Sequence, residues 1–134
     1  MSLKPITSAA FVLLLLLAAQ VYSAEHTTDS LEVVKQNVAA KKAVFVDVRE
    51  RSEWQDGHVA DAVAIPMTQL EKKKLPSELL GRLPKDRILY TYCVVGMRSR
   101  KAADILVKHG YQVRPLKAGF DELQKAGFPT AKGD

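Results

Sequence analysis

Arg87-Ile88-Leu89-Tyr90-Thr91-Tyr92-Cys93-Val94-Val95-Gly96-Met97-Arg98-Ser99 contains the only cysteine of the chain. Arg87 to Tyr92 is rich in aromatic and β-branched residues and reads as a strand. A strong helical pattern follows from Ser99 to His109: Ala102, Ile105, Leu106 and His109 share a face, and Gly110 supplies the stop. Cys93 therefore sits where a strand passes through a short loop into a helix. Such a turn aims several backbone N–H groups inward, and the positive end of the helix dipole adds to them, giving an anion cradle. Gly96 permits the backbone geometry of a tight loop, and Arg98 adds a fixed positive charge. A thiol in this position gains hydrogen bonds and favourable charge on ionising, so its pKa is expected to fall. Cys93 is then a candidate nucleophile, with a buried structural thiol as the alternative.

The rest of the chain repeats the strand–helix alternation. Asp29-Ser30-Leu31-Glu32 reads as a helix start, and Leu31, Val34 and Val38 mark one face of that helix. Ala43 to Val48 is a buried strand, bounded by lysines and charged residues. Arg51 to Gly57 reads as a short helix opened by Ser52. Ala62 to Ile65 is a second strand stopped by Pro66. Lys72 to Leu83 is helical in parts and interrupted by Pro76. Tyr111 to Leu116 is a fourth strand, and Phe120 to Ala126 a last helix before Gly127 and Pro129. The alternation predicts an α/β domain with a mostly parallel central sheet of about four to five strands and helices on both faces. In such sheets ligands bind beyond the carboxyl ends of the strands, which points to the loops after Val48, Ile65 and Tyr92.

Composition sets the limits. The 134 residues suffice for one domain. At 47% apolar and 26% charged, the chain has globular composition, which argues against disorder. A single cysteine excludes an intramolecular disulfide, a multi-cysteine zinc site and an iron–sulfur cluster. Residues 1–24 carry one charge, Lys4, then the apolar run Ala9 to Ala19 with Leu13 to Leu17, then Val21-Tyr22-Ser23-Ala24 before Glu25. This is the pattern of a secretory signal peptide with cleavage after Ser23 or Ala24, leaving residues 25–134 as the domain. At about 11 residues the run is short of the ~20 that span a bilayer, although an uncleaved anchor is the other reading. A periplasmic or otherwise secreted location is expected, with no stable membrane insertion after cleavage. No cysteine lies near the cleavage point, which argues against lipid modification there. Bases such as Lys41-Lys42 and Lys72-Lys73-Lys74 are scattered pairs and triplets, read as solvated faces and not as a nucleic-acid surface.

Cys93-Val94-Val95-Gly96-Met97-Arg98-Ser99 resembles the active-site loop of single-domain rhodaneses, Cys-x-x-Gly-x-Arg-Ser. Upstream, Val46-Asp47-Val48-Arg49-Glu50 resembles the family's Asp-Val-Arg-Glu segment. The stretch from Glu53-Trp54 through Gly57-His58-Val59 to Ile65-Pro66 resembles its Glu-aromatic…Gly-His-Ile…Ile-Pro element. Downstream, Leu116-Lys117-Ala118-Gly119-Phe120 resembles Leu-x-Gly-Gly-aromatic. These motifs, in order, cover about residues 30–128. With the export signal, the chain is similar to small periplasmic thiosulfate sulfurtransferases. Asp61 stands where the family usually has Gly, Ala118 replaces the first Gly of the last element, and Leu123 stands where Trp is common.

The resemblance implies a rhodanese-like domain and a sulfurtransferase mechanism. Cys93 and Arg98 would be catalytic, with Val94, Val95, Gly96, Met97, Arg98 and Ser99 as the cradle. The Cys93 thiolate would take the outer sulfur of thiosulfate or a similar donor as a persulfide, and cyanide or a thiol would remove it. Neither a metal nor an organic cofactor is implied, and a monomer is expected. Asp47 and Arg49, at the end of the first clear strand, are read as an ion pair or loop anchor that supports the site. His58 is a possible base, but a thiolate held by a cradle needs none. His26, His58 and His109 are too scattered in sequence to suggest a metal site. Trp54, Tyr90 and Tyr92 are read as core, and Arg100 either extends the positive field or is solvated. Two rivals remain. Cysteine-dependent phosphatases, with arsenate reductase chemistry beside them, use Cys-x5-Arg, whereas here the spacing is Cys-x4-Arg; one residue fewer suits a single sulfur atom better than a phosphoryl group. A persulfide carrier or redox partner would use the same cysteine without turning over small donors.

Overall fold

Ser30 opens the first helix, α1 (Leu31–Ala39), because its side chain accepts the Val33 N–H at 3.2 Å and so satisfies a donor that has no partner within the helix. The computed structural model describes Ser2 and residues 24–134; the export signal read in residues 1–24 lies, apart from Ser2 and Ala24, outside the described residues. Val34 is fully buried, with Leu31 and Val38 packed beside it, as the 3.6-residue spacing requires.

Four parallel strands form the central sheet in the order β3-β1-β4-β5: β1 (Ala43–Asp47), β3 (Val63–Ala64), β4 (Ile88–Tyr92) and β5 (Gln112–Val113). β1 and β4 pair along their whole length, from Ala43 opposite Ile88 to Asp47 opposite Tyr92. The two outer strands are shorter than their sequence pattern for one physical reason. Proline has no N–H. Around Pro66, Ile65 N–H donates to the Asp47 carbonyl and Met67 N–H to the Val48 carbonyl. Around Pro115, Arg114 N–H donates to the Leu89 carbonyl and Leu116 N–H to the Thr91 carbonyl. Both segments keep following their neighbours but skip a rung.

Alternation along the strands builds two cores. Val46, Val48, Leu89 and Cys93 face one side, against Leu79, Ala102 and Leu106. Ala43, Phe45, Tyr90 and Tyr92 face the other, against Val34, Leu123 and Phe128. The helices behind these faces are α5 (Met97–Lys108) and α4 (Ser77–Leu80) on the first side, and α1 and α6 (Phe120–Lys125) on the second. Both faces of the sheet are covered, as the alternating pattern predicts.

Several boundaries differ from the sequence reading. Helix α2 (Arg51–Asp56) is opened by Glu50 and not by Ser52, through a capping box in which Glu53 Oε1 accepts the Glu50 N–H at 3.1 Å. Pro76 opens α4 where the pattern suggested an interruption, and Pro66 likewise opens the one-turn helix α3 (Met67–Leu70); a proline suits the start of a helix, where its missing N–H costs nothing. α5 begins at Met97, two residues earlier than the apolar pattern, and His109 is exposed instead of sharing its buried face. A second sheet of two antiparallel strands, β2 (His58–Val59) and β6 (Thr130–Ala131), went unread because two residues carry no periodicity.

Candidate active site

The alternation along β4 turns Cys93 toward α5, where the residue is 1% exposed. The chain then bends through Val94 and Val95 to Gly96, whose φ of 88° lies in the left-handed region that favours glycine. This bend returns the backbone, so that the Gly96 N–H donates to Cys93 Sγ at 3.1 Å. The first turn of α5 brings more donors to the same atom. Burial alone would raise the Cys93 pKa, but the backbone N–H groups of Ser99, Gly96 and Arg98 and the Ser99 hydroxyl outweigh it, and the thiol is held below its ordinary range. Cys93 therefore faces backbone N–H donors from Gly96, Arg98 and Ser99.

The cradle is braced from beneath. The Thr91 hydroxyl donates to the Ser99 carbonyl at 2.9 Å, tying β4 to α5. Ser99 Oγ is 3.0 Å from the Gly96 carbonyl and 2.8 Å from the Leu116 carbonyl, so its one proton serves one of these or the Cys93 sulfur at a time. Phe120 N–H donates to the Cys93 carbonyl at 3.0 Å. Gly119 makes this approach possible: a Cβ there would stand 2.0 Å from the Val94 carbonyl oxygen. Around the buried sulfur the loop side chains point outward, with Val95 70% and Met97 66% exposed.

Arg98 has a partner that sequence reasoning missed. Its guanidinium grips Glu53 through two parallel bonds, Nη1 to Oε1 at 2.6 Å and Nη2 to Oε2 at 3.0 Å. The hydrogen bond to Arg98 comes first among the causes that hold Glu53 below the ordinary carboxylate range, ahead of an opposing burial effect. Arg98 thus gives the sulfur its backbone N–H, while its side chain locks α2 to α5.

Asp47 and Arg49 form the loop anchor expected of them. Both are buried, and Arg49 Nη2 lies 2.8 Å from Asp47 Oδ2. Arg49 also donates to the Gly57 carbonyl at 2.6 Å, and the Tyr92 hydroxyl donates to Asp47 Oδ2 at 2.7 Å. Burial, then the charge of Asp47, pushes the Tyr92 phenol well up, so it stays a neutral donor. His58 is similarly engaged: its Nδ1 donates to the Trp54 carbonyl at 2.8 Å, and its ring stacks on the Trp54 indole at 3.5 Å. That arrangement braces α2 and leaves Cys93 to the cradle. Tyr90 and Tyr92 are buried, whereas Trp54 is half-buried.

His26 is the second residue the sequence reading left unused. Its Nε2 is 2.7 Å from the Gly96 carbonyl, which only accepts, so the ring proton lies on Nε2. The three departures from the family pattern are accommodated. Asp61 is exposed and has no positive φ, Leu123 is fully buried in the core, and Ala118 is half-buried beside the required Gly119.

This strand, loop and helix, with a buried cysteine in a ring of N–H groups, define a rhodanese-type site. The chain belongs to the rhodanese-like domain family, whose pattern matches residues 30–126. Over 113 residues it is 33% identical to YqhL of Bacillus subtilis, an uncharacterized protein, covering 84% of this chain and 83% of that one. Over 104 residues it is 30% identical to the thiosulfate sulfurtransferase GlpE of Coxiella burnetii, covering 77% of this chain and 87% of that protein. The solution structure of the rhodanese-like domain of the Anabaena protein Alr3790 is 28% identical, with a TM-score of 0.63 over 81% of this chain and 80% of that one.

Proposed function

We propose that the protein is a sulfurtransferase that moves sulfane sulfur from thiosulfate, or a donor of the same chemistry, to cyanide or a thiol. The observation that carries this reading is the Cys93 sulfur, buried yet faced by N–H donors of its own loop that favour its thiolate form. The thiolate attacks the outer sulfur of thiosulfate. A Cys93 S–S bond forms, the donor's S–S bond breaks, and sulfite leaves with the electron pair. The charge moves one atom outward to the terminal persulfide sulfur, where a preorganised ring of N–H groups stabilises it as an oxyanion hole would. Cyanide or a thiolate then attacks that terminal sulfur, the persulfide bond breaks, and the Cys93 thiolate returns. No step consumes a proton, so no general base is needed.

Relatives named as sulfurtransferases, at about 30% identity, support the class of reaction. The engagement of Arg98 with Glu53 weighs against a phosphatase, which needs a guanidinium free to wrap a tetrahedral oxyanion. Residues 1–24 act as an export signal, placing a monomeric domain in the periplasm or outside the cell; among the described residues no helix is long and apolar enough to cross a membrane. Steady-state thiocyanate formation from thiosulfate and cyanide tests the enzyme. Continuous turnover is expected. A single stoichiometric transfer without turnover would mean a persulfide carrier, and efficient aryl-phosphate hydrolysis with no sulfur transfer would mean that the loop serves phosphoryl chemistry.

A further inference from the structure

Residues 24–29 lie against α5 and the Cys93 loop and are fastened at both ends. At one end, Asp29 Oδ2 accepts the Tyr90 hydroxyl at 2.7 Å and Arg114 Nη1 at 2.9 Å, and Thr27 N–H donates to the Pro115 carbonyl at 2.8 Å. At the other, the Ala24 nitrogen donates to Asp104 Oδ1, and the Ala24 carbonyl accepts from Arg100 Nε at 2.9 Å. Between the two, His26 holds the Gly96 carbonyl and fills the place where a Cβ of Gly96 would stand, 2.6 Å from its Nε2. The Gly96 N–H in turn holds the Cys93 sulfur. Strap and nucleophile meet on one residue.

The contact at Asp104 sets a peptide nitrogen against a carboxylate. Asp104 is half-buried, and among the described residues no Lys or Arg side chain forms an ion pair with it. A carboxylate withdrawn from water is stabilised far more by an opposite charge than by a neutral amide. An α-ammonium group at Ala24 would supply that charge. Val21 and Ser23, third and first before Ala24, fit the small-residue pattern that a signal peptidase cleaves.

We propose that the working chain begins at Ala24, and that the α-ammonium group freed there pairs with Asp104 to fasten a strap that positions the Cys93 loop through His26. This rests on the export reading of residues 1–24. The covalent step is hydrolysis by a signal peptidase: water adds across the Ser23–Ala24 bond, leaving a carboxylate on Ser23 and an ammonium on Ala24. Before cleavage the same nitrogen offers Asp104 one neutral N–H; afterwards it offers a full charge.

The test uses the protein recovered from a secreting host, the same protein acetylated at its α-amine, and an Asp104→Asn variant in both states. N-terminal sequencing is expected to begin at Ala24. Alkylation of Cys93 by iodoacetamide across pH reads the thiolate without any turnover. Acetylation should shift the alkylation profile upward by about half a pH unit, which slows the rate about threefold along the rising limb of the profile. It should leave the high-pH plateau unchanged and lower the melting temperature. Asp104→Asn should abolish the effect of acetylation, and His26→Ala should shift the same profile where a merely structural loss would lower stability alone. A sequence beginning at Met1 or Glu25, or an acetylated protein with an unaltered profile and melting temperature, would overturn the proposal. Because alkylation needs no sulfur donor, a shifted profile in a protein inert to thiosulfate would leave the strap standing and remove the sulfurtransferase reading instead.

Discussion

At the scale of single residues, the proposed chemistry rests on Cys93, whose neighbours favour its charged form. Cys93→Ser should abolish sulfur transfer while changing stability by only about 1 kcal/mol, because the hydroxyl is close in size but does not ionise. Thiocyanate assays and urea unfolding of the same preparation check both halves. The lowered Cys93 pKa gives a pH dependence of definite sign. With the thiolate as the proposed nucleophile, activity should rise with pH through the Cys93 value and then level. That rise should lie below the ordinary thiol range in native protein, and alkylation of unfolded protein should move it up. Arg98 and Glu53 act as a pair. Glu53→Gln weakens the fork that holds Arg98 and should slow turnover moderately, whereas Arg98→Ala removes the positive charge that interacts with Cys93 and should slow turnover more. Arg98→Lys should recover only part, since an ammonium cannot reproduce two parallel bonds. Equal kcat/KM for Glu53→Gln and Arg98→Ala would contradict this order. The pairing of Glu53 with Arg98 was not legible in the sequence, because the two lie 45 positions apart and nothing local signals the bond.

At the scale of elements, the site is a strand end, a left-handed glycine and a helix start held in register by their neighbours. The strand-to-helix passage around Cys93 was legible because it is contiguous: aromatic and β-branched residues, then Gly96, then an amphipathic run. The segments that close over it come from residues remote in sequence. His26 reaches Gly96 across 70 positions, and Gly119 touches Val94 through its lack of a side chain, which leaves no pattern beyond a glycine. Gly119→Ala should displace the loop, since its Cβ would meet the Val94 carbonyl carbon at 2.6 Å, and should cost about 1–3 kcal/mol with most of the activity. Gly96→Ala combines a positive φ, worth about 1–2 kcal/mol, with a collision against His26. His26→Ala in that background should restore the collision part of the loss and not the backbone part, as measured by unfolding free energies of the four proteins of the cycle. Asp47→Ala leaves the buried Arg49 unpaired and should destabilise by about 3–5 kcal/mol.

At the scale of the molecule, a parallel sheet with two cores places every site segment at one edge, beyond the carboxyl ends of β1 and β4. That much followed from alternation of strands and helices. The one-turn helix α3 and the β2–β6 pair did not, because each is too short to show a period. Asp29 sits below the ordinary carboxylate range, chiefly through its hydrogen bond to Tyr90, and Glu53 through its bond to Arg98. For groups with lowered folded values, the stability they add is present above the unfolded carboxylate range and lost as pH falls through those lowered values. The urea midpoint should therefore drop on acidification below that range, and Asp29→Asn should shrink the drop. The proposed function turns on one atom, the Cys93 sulfur, and its reaction is the most direct thing to measure. Intact mass after brief exposure to thiosulfate should show one added sulfur on the native protein, none on Cys93→Ser, and loss of that sulfur on adding cyanide. A native protein that gains no sulfur, or a Cys93→Ser variant that gains one, would contradict the account.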